Sequence, residues 1–283
     1  MTDTTSRSRP AVGFIGLGDQ GVPIAQAIAD AGYPLHVWAR RPESLVVLEG
    51  RPHTSYDTMA EMAGAIDVLA LCVREDSDIF ALVEQGGLLE SMRRGAVLVN
   101  HGTGLPTAAQ RLRELATPYQ IHVVDAPVSG GHEVAVARQL TTIAGGDKDA
   151  VELVAPIFGS FSKQVIHAGP AGAGQYAKLF NNAVMMMNHK NVLDALTVAQ
   201  QLALPITPLL EVLRSGSASS FALAAFGPSI TSRNAEHLRE LELIDMDLFA
   251  AATENLGQER DTVVERAIAG AQGLVELTEL TRN

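Results

Sequence analysis

Three closely spaced glycines between an apolar segment and an amphipathic one constrain the fold of this chain most strongly. Residues 11–16 are apolar and predict a strand, and residues 22–31 have the spacing of a helix. Gly16, Gly18 and Gly21 lie between them in a G-x-G-x-x-G arrangement. In this context the glycines permit a tight turn, close approach of backbone to a pyrophosphate, and packing of helix on strand. The pattern therefore predicts a dinucleotide-binding turn at a helix N-terminus. The intervening Leu17, Asp19 and Gln20 are assigned to the same cofactor site.

The residues that follow the second predicted strand indicate which dinucleotide binds. An acidic residue there would hydrogen-bond the ribose 2′-hydroxyl of NAD, but Trp38 and Ala39 are followed by Arg40 and Arg41. A guanidinium matches a phosphate in geometry and charge. We therefore expect NADP to be preferred, with NAD as the alternative, and assign both arginines to the cofactor site. Ordinary solvent-exposed arginines would give the same sequence.

The first 170 residues alternate short apolar runs with helical patterns. Such alternation predicts parallel strands with helical crossovers, and the continuous apolar character of the runs predicts a sheet covered on both faces. The predicted strands are residues 11–16, 35–39, 67–73, 96–100 and 121–125, with 140–144 and 165–168 as extensions of the same sheet.

The character of the chain changes at Gly169-Pro170-Ala171-Gly172, after which no convincing strand pattern appears. We predict an α/β fold, in which a Rossmann-type parallel-sheet domain is followed by an all-α domain and joined to it by a long helix. The predicted helices are residues 175–202, a helix from 209, 236–256 and 260–280. The predicted segments are a flexible tail at 1–10, a dinucleotide-binding domain at 11–171 and a helical domain at 172–283.

Composition excludes several classes of protein. The net charge of −11 without a basic run makes nucleic acid an unsuitable partner. The single cysteine, Cys72, excludes an intrachain disulfide framework; it lies in an apolar run, and we assign it with Val73 to the cofactor site. No signal-like segment, membrane-length apolar run or metal-site spacing is found, so we expect a cytoplasmic protein that binds no membrane and no metal.

Lys178 and Asn182 are candidate catalytic residues. They are four residues apart and share one face of the long predicted helix. Only four lysines occur in the chain, and a lysine in a strongly apolar helix is costly unless it has a role. As an ammonium it can donate a proton to a developing alkoxide, and as an amine it can accept one. Hydride transfer to or from a nicotinamide needs such a group at the substrate oxygen.

Ser129, Gly130 and Gly131 follow a predicted strand and form a second glycine-containing turn. Their backbone can come close to an anion, so we expect them to bind a substrate carboxylate; a turn without a ligand is the simpler alternative. His101 and His132 could face the substrate, but hydrogen-bonded or surface histidines are the commoner case.

With these segments identified, the chain resembles the β-hydroxyacid dehydrogenase family, which includes 3-hydroxyisobutyrate dehydrogenase, tartronate semialdehyde reductase and the succinic semialdehyde (glyoxylate) reductases. The resemblance extends from Val12 to about Leu256. The motifs that carry it are Phe14–Gly18, Asp125–Gly131, and Lys178 with Asn182 after Gly172 and Gly174.

The resemblance implies a Rossmann domain, related to the NAD-binding domain of 6-phosphogluconate dehydrogenase, joined by a long helix to an all-helical substrate and dimerisation domain. It implies a homodimer or homotetramer acting on a small carboxylated alcohol or aldehyde. The implied site has Lys178 as acid/base, Asn182 holding the substrate, Ser129, Gly130 and Gly131 binding its carboxylate, and Thr103 beside the nicotinamide. Asn181 and Asp247 are also assigned to the substrate site.

Three departures from the family pattern concern the substrate. Gly102 stands where the family usually has a serine, His132 and Glu133 replace part of a glycine-containing stretch, and Met246 stands where a lysine is common. We therefore expect a pocket that is roomier near Gly102 and less polar at the Met246 end. Such a pocket would suit a substrate larger or less polar than 3-hydroxyisobutyrate or glyoxylate.

Two other functions remain open. An imine reductase would share the fold and the cofactor, but imine reductases typically have Asp or Tyr in place of the lysine. A non-catalytic nucleotide-binding protein would not need Lys178, Asn182 and the serine-glycine turn together.

Overall fold

The computed structural model describes residues 9–85 and 87–282. Most of the tail predicted at residues 1–10 lies outside the described residues. The chain forms two compact units, Met1–Lys178 and Leu179–Asn283, called here the sheet unit and the helical unit. The boundary between them falls inside one long helix, and the break predicted near 169–174 lies at the start of that helix.

The described part of the sheet unit contains one nine-stranded sheet in the order β3-β2-β1-β4-β5-β6-β8-β7, with β9 also paired to β8. Strands β1 to β6 are mutually parallel, whereas β8 runs antiparallel to β6 and β7 and parallel to β9. The strands are β1 (Val12–Ile15), β2 (Leu35–Val37), β3 (Thr54–Ser55), β4 (Val68–Leu71), β5 (Val97–Asn100), β6 (His122–Asp125), β7 (Val128–Ser129), β8 (Leu140–Gly145) and β9 (Ser162–Gly169).

Helices cover the sheet and form the second unit. Those of the sheet unit are α1 (Gly21–Asp30), α2 (Met59–Ala65), α3 (Asp76–Gln85), α4 (Leu88–Ser91), α5 (Pro106–Ala116), α6 (His132–Val136) and α7 (Lys148–Phe158). Helix α8 (Ala173–Gln201) begins in the sheet unit and continues into the helical unit. The rest are α9 (Ile206–Ser215), α10 (Phe221–Ala224), α11 (Ala235–Ala252), α12 (Gln258–Gln272) and α13 (Leu274–Leu280).

The sheet is buried on both faces, as its continuous apolar runs predict. Along β4, Val68 and Ala70 belong to one core cluster, while Leu69 and Leu71 belong to another. Because successive strand residues point to opposite faces, these clusters lie on the two sides of the sheet. The expected fold class, a Rossmann-type sheet followed by a large helical region, is confirmed.

Several elements differ from the sequence prediction. The predicted helix 260–280 is divided at Gly273 into α12 and α13. Helix α2 was not predicted, although Thr58 and Glu61 form a capping box at its start. The two-residue strands β3 and β7 are too short to give a periodic signal. Among the described residues, no helix combines the length and apolar character needed to cross a bilayer.

Candidate active site

The three glycines of the first turn have different steric reasons for being glycine. Gly16 has a φ of +105°, and a Cβ there would lie 2.2 Å from the carbonyl oxygen of Cys72. A Cβ at Gly21, the first residue of α1, would lie 1.8 Å from the carbonyl oxygen of Gly16. At Gly18 no described atom lies within 4 Å of the Cβ position. The turn is therefore packed at its two ends and open in the middle, the geometry expected of a pyrophosphate-binding turn.

Cys72 and Val73 lie directly beside this turn, just after β4. The backbone N–H of Cys72 donates to the carbonyl oxygen of Ile15, with 2.8 Å between nitrogen and oxygen. The backbone nitrogen of Val73 would lie 3.2 Å from a Cβ at Gly16. Burial raises the pKa of the Cys72 thiol to about 12, so this side chain is neutral at physiological pH. Of the other predicted residues, Leu17 packs against the core and Gln20 is the N-cap of α1.

His132 contacts the cofactor turn. Its Nδ1 lies 2.9 Å from the backbone oxygen of Asp19 and 3.0 Å from the Asp19 carboxylate. His132 is thus hydrogen-bonded, which is the commoner case for a histidine, and it joins the start of α6 to a residue of the glycine-rich turn.

Arg40 and Arg41 follow β2, as the prediction required. Arg40 is largely exposed and forms an ion pair with Asp78 of α3, its Nη2 lying 3.3 Å from Oδ1. Arg41 precedes a short 3-10 helix, Pro42–Leu48. Asp78 was not anticipated, because it follows Arg40 by 38 positions and belongs to another crossover.

The loop after β5 is fixed by buried polar groups. The Asn100 Oδ1 accepts from the backbone N–H of Gly102 at 2.8 Å. His101 lies 2.9 Å from the carbonyl oxygen of Ala126 and is almost fully buried. Burial lowers the pKa of His101 to about 4, partly opposed by that hydrogen bond, so the imidazole is neutral at physiological pH. It is therefore a structural group of the loop that carries Thr103.

The expectation of extra room near Gly102 is wrong. A Cβ at Gly102 would lie 2.9 Å from the carbonyl oxygen of Val73 and 3.2 Å from Oδ1 of Asn100. The protein's own polar atoms therefore fill the space into which a side chain would extend. The glycine allows two loops to approach each other and does not enlarge a pocket.

Asp125, the last residue of β6, anchors the start of α8. Its carboxylate accepts from the backbone N–H of Gly172 at 2.7 Å and of Gln175 at 2.9 Å. Burial raises the pKa of this carboxyl, and hydrogen bonds from the backbone oppose the shift. These bonds satisfy N–H groups that have no partner within the helix. Asp125 is also four residues before Ser129, so one short segment contacts the helix of Lys178 and carries the serine-glycine turn.

Gln175 connects the same helix to the Thr103 loop. Its Oε1 accepts from the N–H of Gly104 at 3.0 Å, and its Nε2 donates to the carbonyl oxygen of Gly102 at 2.8 Å. The side chain is 1% exposed. Gln175 was not predicted to be a site residue. The signal available was a polar residue next to glycines at the start of an apolar helix.

The serine-glycine turn has the backbone freedom that its composition predicts. Ser129 is half-buried in β7 and lies opposite Thr141 of β8. Gly130 and Gly131 have φ values of +141° and +79°, which favour glycine. No described atom lies within 4 Å of the Cβ position of Gly131.

Lys178 lies three residues after Gln175 on α8 and is half-buried. Asn182 follows one turn later and belongs to the helical unit, where it is 3% exposed. Its Nδ2 donates to Oδ2 of Asp245 at 2.5 Å, and its Oδ1 accepts from Asn181 at 3.0 Å. The acidic partner of Asn182 is therefore Asp245 of α11, whereas the predicted Asp247 is exposed.

Met246 does not have the surroundings expected of a site residue. It is 1% exposed and belongs to a core cluster with Leu179, Met186 and Phe249. The expectation that it makes one end of a pocket less polar is therefore wrong, since it contributes to the core of the helical unit. No three metal-ligating side chains cluster anywhere in residues 9–85 and 87–282.

A glycine-rich turn between β1 and α1 of a parallel sheet is the form of a Rossmann-type dinucleotide-binding site, and the matches below make the chain an NAD(P)-binding oxidoreductase. Residues 11–169 match the family model described as the NAD binding domain of 6-phosphogluconate dehydrogenase. Residues 172–272 match the one described as NAD-binding of NADP-dependent 3-hydroxyisobutyrate dehydrogenase. The chain belongs to the β-hydroxyacid dehydrogenase family, which confirms the resemblance.

One sequence relative agrees with this membership, and two solved structures have the same fold. The NAD-dependent L-serine dehydrogenase of Pseudomonas aeruginosa is 30% identical over 77% of this chain and 73% of its own. The structure of Mycobacterium tuberculosis 3-hydroxyisobutyrate dehydrogenase with L-serine is 22% identical, with a TM-score of 0.78 over 97% of this chain and 100% of its own. Psf3 in complex with NADP+ and 2-OPP is 21% identical, with a TM-score of 0.80 over 95% and 99%.

An imine reductase has a similar fold. The Myxococcus stipitatus enzyme, in a variant complexed with NAD+, is 17% identical with a TM-score of 0.65 over 95% of this chain and 94% of its own. This likeness concerns the fold alone, so the choice of reaction depends on the site residues.

Proposed function

We propose that this protein transfers a hydride between the nicotinamide of NADP and a small carboxylated alcohol or aldehyde, a β-hydroxyacid or a semialdehyde. Lys178 acts as the general acid/base. The observation that carries the proposal is the junction around Asp125 and Gln175. It joins the helix of Lys178 to the Thr103 loop and to the segment that leads to Ser129.

In the oxidation, the neutral amine of Lys178 would accept the hydroxyl proton of the alcohol, and in the reduction the Lys178 ammonium would protonate the developing alkoxide. The nicotinamide of a dinucleotide held by the glycine-rich turn would accept or supply the hydride. The cofactor supplies the hydride chemistry, and the chain supplies position and the proton.

Ser129, Gly130 and Gly131 are proposed to bind the substrate carboxylate through backbone N–H groups and the serine hydroxyl. The positive φ values of both glycines and the open space beside Gly131 support this role. Asn182 is proposed to hold the substrate oxygen or Lys178. An amide nitrogen carries two N–H donors, and the bond to Asp245 uses one of them. Asn181 contributes by donating a hydrogen bond that orients the amide of Asn182. Asp247 is exposed, and its surroundings give no support for a role in substrate binding.

The substrate and the reaction class can be tested together. Absorbance at the reduced-nicotinamide band is followed with both cofactors over hydroxyacids that include L-serine, semialdehydes, uncharged alcohols and cyclic imines. Turnover of a carboxylated alcohol or aldehyde is expected. Turnover of cyclic imines alone would establish the imine reductase alternative. Cofactor binding without turnover of any compound would favour the non-catalytic alternative.

Replacing Lys178 by alanine is expected to lower kcat by about two to four decades, the range for loss of a general acid/base. The cofactor Kd should stay near the wild-type value. Lys190→Ala is the matched control, because Lys190 is on the same helix and pairs with Asp194; its kcat should remain near wild type. Activity of Lys178→Ala within a few-fold of wild type would contradict the assignment.

The preference for NADP is proposed to depend mainly on Arg40, with Arg41 assisting. Loss of a charge-assisted contact to the 2′-phosphate in Arg40→Ala should raise the NADP Kd by about one to two decades and leave the NAD Kd nearly unchanged. Titration of both cofactors into wild type, Arg40→Ala and Arg41→Ala measures this. Equal wild-type affinity for NAD and NADP would refute the preference.

We also propose a homodimer or homotetramer. Large apolar side chains of the helical unit are exposed in the single chain, and exposed apolar surface commonly marks an interface. The exposed apolar residues are Val198, Leu202, Leu204, Val212, Phe221 and Leu256. A monomeric mass in light scattering would contradict this proposal.

A further inference from the structure

The amide of Gln175 bonds to both peptide groups that flank Thr103. Its Oε1 accepts from the Gly104 N–H at 3.0 Å, and its Nε2 donates to the Gly102 carbonyl at 2.8 Å. A primary amide with one donor and one acceptor directed at successive peptide groups fixes the backbone of the residue between them. Because the side chain is 1% exposed, water does not readily replace either bond.

The backbone of Gln175 is also fixed. Its N–H donates to Oδ2 of Asp125 at 2.9 Å in the first turn of α8. Lys178 is three residues later, and side chains at i and i+3 lie on the same helix face. The Gln175 side chain therefore connects the Thr103 loop to the helix turn that precedes Lys178.

We propose that Gln175 is a positioning residue that aligns the Thr103 loop with Lys178. The inference rests on the proposed function, in which Thr103 lies beside the nicotinamide and Lys178 exchanges the substrate proton. A shift of about 1 Å between reacting groups can cost roughly a hundredfold in rate. Gln175 is thus expected to affect kcat without contacting the substrate.

Gln175→Glu tests the donor while preserving the acceptor and the shape of the side chain. The ionised carboxylate can accept from Gly104 but cannot donate to the Gly102 carbonyl, whereas the protonated carboxyl can do both. Asp125 and Asp76 are the acidic groups on neighbouring elements, and Lys178 is the basic group on the same helix. Burial and the two acids favour the protonated carboxyl, and the Lys178 ammonium opposes them.

The expected result for Gln175→Glu is a kcat about a hundredfold below wild type at pH 8, with at least a tenfold recovery relative to wild type by pH 5.5. Gln175→Asn, one methylene shorter, should lose kcat at both pH values, and Gln200→Glu, an exposed control on the same helix, should follow wild type. The cofactor Kd should change by less than about threefold. A Gln175→Glu pH profile identical to wild type would overturn the proposal.

Two further measurements separate this inference from its premises. Urea unfolding at both pH values must show the variants folded, because a kcat that merely tracks loss of folded protein would overturn the positioning role. Fluorescence of bound NADPH reports the nicotinamide environment without turnover. It should change in Gln175→Glu at pH 8 and return towards wild type at pH 5.5; unchanged emission at both pH values would refute the alignment. Absence of turnover by wild type itself would refute the proposed function instead.

Discussion

Asp125 and Gln175 in the sheet unit and Asn182 in the helical unit are buried polar side chains that make different kinds of hydrogen bond. Asp125 and Gln175 bond to backbone groups of segments distant in the chain. Asn182 bonds to the side chains of Asp245 and Asn181.

The difference bears on what a single substitution can change. A backbone group is present whatever residue occupies its position, whereas a side-chain partner can be removed by one substitution. The partners of Asp125 and Gln175 are therefore less easily lost than Asp245, the partner of Asn182.

The largest effect is expected from adding a methyl group to the ends of the glycine turn. Gly16→Ala and Gly21→Ala place Cβ 2.2 Å and 1.8 Å from backbone oxygens, so each should lower the free energy of unfolding by about 3 kcal/mol, the upper end of the range for overpacking, and abolish cofactor binding. Gly18→Ala should leave stability within about 0.5 kcal/mol and weaken cofactor binding alone. Urea unfolding and cofactor titration measure both quantities. Equal destabilisation by all three variants would show that the turn is not packed only at its ends.

A second comparison concerns two buried histidines, one in each unit. Burial lowers the pKa of both His101 and His189 to about 4. The unfolded chain takes up a proton below about pH 6.5 while the folded chain does not. Each histidine therefore contributes stability that is complete above pH 6.5 and is lost as the pH falls towards 4; the loss is about 3 kcal/mol for each histidine.

His101→Leu and His189→Leu should each flatten this pH dependence, as measured by urea unfolding between pH 4 and pH 7.5. The two variants should differ in their free energy of unfolding at neutral pH. His101→Leu leaves the Ala126 carbonyl without its partner at 2.9 Å, whereas His189 makes at most a weak contact with the backbone of Ala222. The first should cost about 1 kcal/mol more than the second. If the unfolding free energy of both variants depends on pH as that of wild type does, these rings are not buried in the neutral form.

The smallest expected effect is the difference in unfolding free energy between variants of two acidic residues that contact α8, Asp125 and Asp245. Asp125→Ala leaves the N–H groups of Gly172 and Gln175 unpaired and should cost about 2 kcal/mol of unfolding free energy and lower kcat. Asp245→Ala removes a side-chain partner that can be replaced and should cost about 1 kcal/mol. Chemical denaturation compares them, with Asp261→Ala, an exposed acid of α12, as the control. A greater cost for Asp245 would reverse the comparison of the units.

The sequence by itself determined the elements whose signal is local. The glycine spacing before α1, the apolar runs of β1, β4 and β5 and the long pattern of α8 each depend on neighbours within a few residues. The same local reading found the serine-glycine turn and placed Lys178 and Asn182 on one helix face.

The tertiary structure alone decided which groups meet. Gln175 and Gly104 are 71 residues apart, and His132 and Asp19 are 113 apart, so no local period relates them. Asp19 and Gly104 follow the parallel strands β1 and β5, whose carboxyl ends lie at one edge of the sheet. Gln175 comes instead after β9, which runs antiparallel to those strands, so its meeting with Gly104 depends on the pairing of β8 and β9 with the rest of the sheet. The room expected at Gly102 is likewise filled by a distant segment, because the carbonyl oxygen of Val73, which follows the neighbouring strand β4, occupies it. A residue type indicates what chemistry a position can perform, and the packing of distant segments decides which partner it receives.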